Sequence, residues 1–273
     1  MILLTDNGII FFMKIGVYCN TQKDPDGKVE SVIFETAAKN GVKAEKYDPA
    51  VKYDFVVSIG GDGTILRVVK NCVKSDTPIL GVNKGTLGFL TEIEPSEADA
   101  AFKKLLAREY MLERRALVDV TFNGKHYYAL NDAVVLRSGS GRMITMEVRV
   151  NDEIIDKFTC DGYIASTPTG STAYSLSAGG SVIGPNTPVI ALTPINPHTL
   201  HTRPIVVGSF ENVSMTYSGD ASAALYIDGV CEDELKSGDT VGVTGWDRSA
   251  LFVRFNKKSF YSRLLAKFNA RSE

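Results

Sequence analysis

The stretch that decides the fold is Phe55-Val56-Val57-Ser58-Ile59-Gly60-Gly61-Asp62-Gly63-Thr64. Its apolar first half predicts a buried strand, which ends at three glycines placed around one aspartate. The residues after Thr64 alternate so that the apolar ones fit one face of a helix. A strand that turns through glycines into a helix N-terminus predicts an anion site, because free N–H groups and the positive end of the helix dipole point at the bound group.

Asp62 is the unexpected residue of this turn. A carboxylate would repel a bound phosphate unless it holds a metal ion or takes a proton from a nucleophile beside that phosphate. The alternative is a tight turn in which Asp62 only caps the helix that follows. The pattern of the turn leaves both interpretations open.

Composition limits the classes of protein to which the chain can belong. Its 273 residues allow one large domain or two smaller ones, and a net charge of −2 gives no global field that would favour nucleic acid or an anionic membrane. Four scattered cysteines without a C-x-x-C pair and only three histidines disfavour a zinc site and predict reduced thiols in a cytoplasmic protein. No apolar run approaches the roughly 18 residues of a membrane span.

Alternating strand and helix patterns predict a Rossmann-like α/β domain with a parallel sheet over residues 13–109. Its expected helices are 29–39, 64–73 and 96–108, the last opened by a capping box of Ser96 and Asp99. From residue 110 the apolar residues recur at every second position, which predicts a larger β-rich, sandwich-like domain over 110–255. Apolar runs at 240–243 and 251–255 are expected to keep the β character of this domain. A closing segment, 256–273, is expected to return its helix to the first domain, and residues 1–12 are expected to be an extension before a start at Met13.

Three further clusters carry polar groups suited to a nucleotide. Asn131-Asp132 follows an apolar strand and either grips an adenine edge and ribose hydroxyls or forms a turn. Asp161-Gly162 precedes another strand, and residues 166–174 pack hydroxyls and a glycine into one loop, with Ser171 or Thr172 expected to cap a short helix. Asp228-Gly229 reads as an ordinary turn.

Several common motifs are missing from the sequence. It contains no G-x-x-x-x-G-K-[ST], no G-x-G-x-x-G after a strand, no G-x-S-x-G and no H-E-x-x-H. P-loop enzymes, ordinary Rossmann dehydrogenases and common hydrolases are therefore disfavoured. The residues alone favour a phosphate-binding enzyme, with a phosphotransferase that uses Asp62 as the leading hypothesis.

Taken together, the clusters resemble the NAD kinase family over residues 13–268. The matching motifs, in chain order, are Gly60-Gly61-Asp62-Gly63-Thr64, Gly85-Thr86-Leu87-Gly88-Phe89-Leu90, Asn131-Asp132, Asp161-Gly162, Ser166-Thr167-Pro168-Thr169-Gly170-Ser171-Thr172-Ala173-Tyr174 and Pro197-His198 followed by Arg203-Pro204-Ile205. The resemblance implies transfer of the γ-phosphoryl group of ATP, or of polyphosphate, to the 2′-hydroxyl of the adenosine ribose of NAD. It implies Mg²⁺, bound with ATP, as cofactor, and no side-chain ligand of a metal is predicted.

The resemblance also implies roles for individual residues. Asp62 is implied as general base, and Gly61 and Gly63 as the phosphate cradle. Arg67 is either a phosphate contact or a solvated helix residue. The implied dinucleotide-binding residues are Phe89 and Leu90 at the adenosine, Asn131 and Asp132 at adenine or ribose, Asp161 at the nicotinamide end, and Arg142, Thr159, Thr172, Ala173, Tyr174 and Ser177 along the molecule.

Three positions depart from the family pattern. Asp132 stands where glutamate is usual, Thr159 where many members carry arginine or lysine, and Val230 where glutamine is common. A cation near the pyrophosphate is therefore expected from elsewhere, with Lys157 a candidate. The family resemblance further implies a homo-oligomer, in which Tyr174 either reaches a neighbour's site or lies buried in its own subunit. The rival functions are a lipid kinase with the same glycine turn and a non-catalytic NADP-binding sensor.

Overall fold

The computed structural model describes residues 2–5, 8–11, 13–85, 88–139, 142–255 and 260–269, the first two ranges by their backbone alone. The chain forms two compact units. Unit 1 comprises Met1–Arg114 and Ala250–Glu273, and unit 2 comprises Arg115–Ser249.

The elements follow one another in this order: β1 (Ile2–Thr5), β2 (Gly8–Phe11), β3 (Lys14–Cys19), α1 (Lys28–Lys39), β4 (Lys43–Lys46), β5 (Phe55–Gly60), α2 (Asp62–Lys74), β6 (Ile79–Asn83), α3 (Ala98–Ala107), β7 (Met111–Phe122), β8 (Lys125–Ala129), β9 (Asp132–Ser138), β10 (Ile144–Val150), β11 (Glu153–Cys160), β12 (Gly162–Ser166), α4 (Tyr174–Ser177), β13 (Val189–Ile195), β14 (Ile205–Gly208), β15 (Val213–Ser218), β16 (Ser222–Ile227), β17 (Val230–Leu235), β18 (Thr240–Arg254) and α5 (Phe260–Asn269). Short 3₁₀ turns lie at Pro95–Glu97 and Gly170–Thr172.

Unit 1 is built on a parallel sheet in the order β6-β5-β3-β4, with Phe252 at the end of β18 pairing with Ile79 of β6. Every residue of β5 and β6 is buried, as expected of a parallel sheet covered on both faces. One face packs on α1 and α3 through a cluster that includes Ile33 and Phe102. Helix α2 packs on β5 and β6. The predicted α/β architecture is confirmed.

Unit 2 is a sandwich of antiparallel sheets, as the period-two pattern predicts. One sheet has the order β14-β13-β12-β9-β16-β17, and the other runs β11-β10-β15-β18 with β7 and β8 beside it. Side chains from both sheets share one core, for example Met146 and Met215 from one and Val135, Tyr163 and Leu192 from the other. Alternating strands bury one face and expose the other, so the sandwich encloses this core between the two inner faces.

The expected β character at 240–243 and 251–255 is present in a single strand, β18, which continues without a break from Thr240 to Arg254. The charged segment Val230–Leu235 is a strand, β17, although its sequence lacks an apolar run. It pairs with β16 at the edge of its sheet, where one side of the strand needs no partner.

Two predicted helix caps are wrong. Pro95 starts a 3₁₀ turn ahead of α3, so Ser96 lies inside that turn, and the Glu94 N–H donates to Glu97 at 2.8 Å instead. Ser171 does not cap α4, because its hydroxyl donates to the Pro168 carbonyl and accepts the N–H of Ile183 across the loop. In both cases a local hydrogen bond outcompetes the expected cap.

The closing helix α5 belongs to unit 1, as predicted. No helix in the described part of the chain is long and apolar enough to cross a membrane.

Helix α3 offers a matched test of the core of unit 1. Phe102 is 1 % exposed, whereas Leu106 on the same helix is 42 % exposed. Phe102→Ala is expected to lower the free energy of unfolding by about 3–5 kcal/mol, because it leaves a cavity beside Ile33. Leu106→Ala should change it by about 0.5 kcal/mol or less. Urea titration followed by circular dichroism at 222 nm measures both, and equal losses would contradict the assigned core.

Candidate active site

The glycine turn of unit 1 joins the end of β5 to the start of α2. Gly60 has φ 149°, and a Cβ there would collide with the side chain of Thr64, so only glycine fits. Gly61 is the N-cap of α2, in an extended conformation. Apart from the adjoining residues and the backbone of the helix itself, no described atom lies within 4 Å of the position a Cβ would take at Gly61 or Gly63. Open space therefore lies beside the first N–H groups of a 13-residue helix.

The Asp62 carboxylate does not cap its own helix. Its Oδ2 accepts the N–H of Phe89 at 2.9 Å, and its Oδ1 accepts the N–H of Leu90 at 3.0 Å. A Cβ at Gly88 would overlap the same carboxylate, so the backbone comes this close only because residue 88 is glycine. The capping interpretation of Asp62 is therefore wrong. Two peptide groups that lie 27 and 28 residues along the chain fix its orientation.

Those peptide groups are held in turn by Arg254, at the end of β18. Its guanidinium donates to the carbonyls of Phe89, Leu90 and Thr91, each at 3.1 Å, and to the carboxylate of Glu113 at 2.6 Å. The Phe89 carbonyl belongs to the same peptide group as the Leu90 N–H that binds Asp62. The buried cation is thus connected to the carboxylate through one polarised peptide unit.

Glu92 completes this arrangement as the buried counter-ion. Its side chain is fully buried and accepts from Arg254 at 3.2 Å and from Arg263 of α5 at 2.5 Å. It also accepts the N–H of Phe255 at 3.0 Å, and Arg263 donates to the Thr91 carbonyl at 2.5 Å. Buried charges are costly unless paired and hydrogen-bonded, and each of these charges has such partners.

Unit 2 holds a cavity of about 300 Å³. It is lined by Asn131, Asp132, Val134, Leu136, Ala173, Tyr174, Tyr226, Asp228 and Gly229. The start of β9 and the end of β16 meet here because these strands are antiparallel neighbours. Four of the nucleotide-binding residues predicted from the sequence, Asn131, Asp132, Ala173 and Tyr174, are brought together by this cavity.

Asp228 organises one wall of the cavity, a role that the sequence did not suggest. Its carboxylate accepts the N–H groups of Leu130, Asn131 and Asp132, at 3.0, 2.7 and 3.2 Å. The loop of residues 166–174 closes on the same turn, since the Thr167 N–H donates to the Asn131 carbonyl at 2.8 Å. The backbone N–H and carbonyl of Asn131 are therefore both hydrogen-bonded, and Asn131 lines the cavity.

Asp132 is an acid in an apolar setting. It is 4 % exposed, and burial together with the nearby charge of Asp228 raises the pKa of its carboxyl to about 7. Ser166 pairs with it across the strands, and the buried Ser166 hydroxyl has no partner among the described residues. The cavity is therefore lined by a carboxyl that titrates near neutral pH, and a buried hydroxyl without a described partner lies on the strand beside it.

Asp161 is held on both oxygens. Asn196 donates to it at 2.9 Å and Arg137 at 2.5 Å, and against the effect of burial these two contacts lower the pKa of its carboxyl. Lys157, the cation expected near this position, pairs with Glu147 at 2.7 Å instead. Arg137 is thus the cation beside Asp161. Arg137 reaches Asp161 because the two residues lie side by side on neighbouring strands, where the Arg137 N–H donates to the Asp161 carbonyl at 2.9 Å. The sequence alone does not reveal this pairing of strands.

The other predicted residues lie at the surface or beside these groups. Tyr174 is 40 % exposed, so it is not buried within its own subunit. Thr172 donates to the Thr169 carbonyl, and Ser177 is exposed at the end of α4. Arg142 is exposed and pairs with Asp220 at 3.6 Å. The carbonyl of Thr159 accepts the His198 N–H, and Arg67 is exposed on α2.

Comparison with known proteins decides the family. Profiles described as the N-terminal and the C-terminal domain of ATP-NAD kinase match residues 15–110 and 130–255. The chain belongs to the NAD kinase family. An NAD kinase of Caldicellulosiruptor saccharolyticus is 36% identical over 93% of this chain and 99% of its own length, and one of Moorella thermoacetica is 42% identical over 82% and 73%.

Solved structures agree with this assignment. An Archaeoglobus fulgidus NAD kinase in complex with ATP is 29% identical, with a TM-score of 0.78 over 94% of this chain and 99% of its own. Yeast NADH kinase complexed with NADH has a TM-score of 0.82 over 100% and 94%, and at 21% identity it supports the fold alone. The predicted NAD kinase resemblance and fold class are confirmed.

The raised pKa of Asp132 makes stability depend on pH. The folded chain keeps this proton up to about pH 7, whereas an unfolded carboxyl loses it near the ordinary value of 3.8, so stability falls as the pH rises between these values. Asp132→Asn is therefore expected to be more stable than the wild type at pH 8, by about 4 kcal/mol at most, and much less so at pH 5.

Asp161→Asn is the matched control for this prediction. The lowered pKa of Asp161 means that its ionised form stabilises the fold, so this variant should be less stable than the wild type at pH 8. Thermal unfolding at both pH values measures the two variants. A gain for Asp132→Asn that is the same at pH 5 and pH 8 would contradict the assigned titration.

Proposed function

We propose that Asp62 is the general base with which this NAD kinase transfers the γ-phosphoryl group of ATP to the 2′-hydroxyl of the adenosine ribose of NAD. The observation that carries the proposal is a partly exposed carboxylate at the open N-terminus of α2, oriented by the N–H groups of Phe89 and Leu90. A preorganised acceptor beside an anion site can take the hydroxyl proton as the oxygen attacks phosphorus. The new O–P bond forms, the bond from phosphorus to ADP breaks, and its electron pair leaves with ADP.

The phosphates of the donor are assigned to the glycine turn. Gly61 and Gly63 have no side chain that would obstruct the first N–H groups of α2, and the helix dipole favours an anion there. Arg67, one turn further along the same exposed face, is the candidate for a second phosphate contact. Polyphosphate would use the same contacts as ATP, because both present phosphate oxygens.

Magnesium enters as part of the substrate, the Mg²⁺ complex of ATP. The described residues contain no cluster of three histidine, cysteine, aspartate or glutamate side chains that could form a protein cage for a metal. Mg²⁺ commonly keeps its waters and binds through substrate phosphates with few protein ligands, which suits this chain. When bound, it would offset the charge on the transferring phosphoryl group.

The dinucleotide is assigned to the polar and apolar groups of the cavity in unit 2. Its apolar lining from Val134, Leu136 and Tyr226 suits a planar base, and Asn131 and Asp132 supply the hydrogen bonds to adenine or ribose. Asp161, with Arg137 beside it, is the candidate for the nicotinamide end. The remaining assigned contacts are Phe89, Leu90, Arg142, Thr159, Thr172, Ala173, Tyr174 and Ser177.

We also assign the protein to the cytoplasm as a homo-oligomer. All four cysteines are unpaired, which suits a reducing compartment. Tyr174 is exposed at the rim of the cavity, where its ring is available to a neighbouring subunit. Sedimentation velocity is expected to show a dimer or tetramer, and a single monomeric species at micromolar concentration would contradict this assignment.

The direct test of the proposed base is Asp62→Asn. NADP formation from NAD and MgATP is expected to fall by about 10²- to 10⁴-fold, because the amide cannot accept the hydroxyl proton. An NADP-specific dehydrogenase reads the product, and calorimetry checks that NAD binding changes little. The assay is repeated with polyphosphate as donor and with NADH as acceptor.

Asp99→Asn is the matched control, since Asp99 is an ion-paired aspartate on the surface of α3. It should retain the wild-type rate. A near-normal rate in Asp62→Asn would show that Asp62 is not the base. Binding of NADP without turnover by the wild type would instead indicate a non-catalytic sensor.

A further inference from the structure

Helix α5 places a lysine against the glycine turn. The Lys267 Nζ lies 3.8 Å from Asp62 Oδ2, and both side chains are only partly exposed, at 27% and 29%. The same ammonium lies 4.4 Å from the centroid of the Phe89 ring. Phe89 is also the residue whose N–H donates to Asp62 Oδ2, so the lysine touches both members of that hydrogen bond.

Two separate contacts fix the ammonium group. An isolated ion pair at a surface contributes little, because its long side chain is free to move. Here the cation also lies over an aromatic face, and that ring packs on Phe260 of the same helix with 5.6 Å between centroids. Arg263, one turn before Lys267, anchors α5 to the buried Glu92. The backbone of α5 is thus held where the lysine can reach Asp62.

The two oxygens of the Asp62 carboxylate have different partners. Oδ2 accepts the Phe89 N–H and faces the ammonium of Lys267. Among the described residues, Oδ1 accepts a hydrogen bond from the Leu90 N–H alone. Since each carboxylate oxygen has two lone pairs, one lone pair of Oδ1 stays open to a hydroxyl proton.

We propose that Lys267 is a positioning residue for Asp62, which occupies Oδ2 and leaves Oδ1 to receive the proton of the 2′-hydroxyl. The proposal rests on the proposed role of Asp62 as base. It also accounts for a difficulty in the site, since a bare carboxylate beside the helix N-terminus repels the phosphates of ATP. The ammonium offsets that charge before the nucleotide arrives, so that the carboxylate and the phosphates can share one site.

The test compares Lys267→Met, which removes the charge and keeps the length, with Lys267→Arg, which keeps the charge. Lys267→Met is expected to lower kcat by about 10-fold or more, as misplacement of a reacting group does, while KM for NAD stays within about 3-fold. Lys267→Arg should recover most of the loss. Lys103→Met is the matched control, because Lys103 is ion-paired with Asp99 on the surface of α3, and it should leave kcat unchanged.

A chemical rescue separates this role from a purely structural one. In Lys267→Ala, added ethylammonium is expected to restore part of kcat in a saturable manner, because it supplies the missing cation beside Asp62. Thermal unfolding confirms that each variant is folded. Loss of kcat that neither arginine nor ethylammonium restores would assign Lys267 to the structure of α5 alone and overturn the proposal.

The outcomes also distinguish this proposal from the one on which it rests. If Asp62→Asn is inactive and Lys267→Met keeps the wild-type kcat, the base stands and the role of Lys267 is overturned. If Asp62→Asn is active, the base itself is wrong and the role of Lys267 falls with it.

Discussion

The buried ion cluster of Arg254, Glu92 and Arg263 is the constraint on which the position of the Asp62 carboxylate depends. It binds the carbonyls of residues 89–91, and the N–H groups of Phe89 and Leu90 hold Asp62. Charges buried in this way are weak sources of net stability, because desolvation opposes their attraction. Their contribution is to position the backbone. The irregular segment 89–91 is held against the N-terminus of α2, with its carbonyls bound by Arg254 and the N–H groups of Phe89 and Leu90 bound by Asp62.

In unit 2 a backbone turn is also held by a charged side chain, but here the side chain is an anion that binds N–H groups and not a cation that binds carbonyls. There the carboxylate of Asp228 accepts three successive N–H groups and thereby sets the turn that presents Asn131 and Asp132. The charge of Asp228, together with burial, raises the pKa of the Asp132 carboxyl to about 7. In both units, the polar groups of the candidate site are positioned by charged residues behind them, as preorganised sites require.

Two of the positions that depart from the family pattern, Thr159 and Asp132, can be related to contacts in the structure. Thr159 stands where the family pattern leads one to expect a cation, and Arg137 on the neighbouring strand pairs with Asp161. Asp132, one methylene shorter than the usual glutamate, lies deep at the strand start with a buried serine hydroxyl across from it. Burial, together with the charge of Asp228, raises the pKa of this carboxyl to about 7.

The sequence by itself determined the fold class, the family and the glycine turn, because periodicity, turn residues and a rare motif are local properties of the chain. It also placed Asn131, Asp132 and Tyr174 in one group through the family resemblance. It did not reveal Arg254, Arg263, Lys267 or Asp228, which sit in ordinary-looking strand ends and on an amphipathic helix. Their partners lie between 96 and 205 positions away along the chain in every case cited, such as Asp228 with Asp132 and Lys267 with Asp62. Only the tertiary structure decides such contacts, because hydrogen bonds and ion pairs between distant segments leave no pattern in the local sequence.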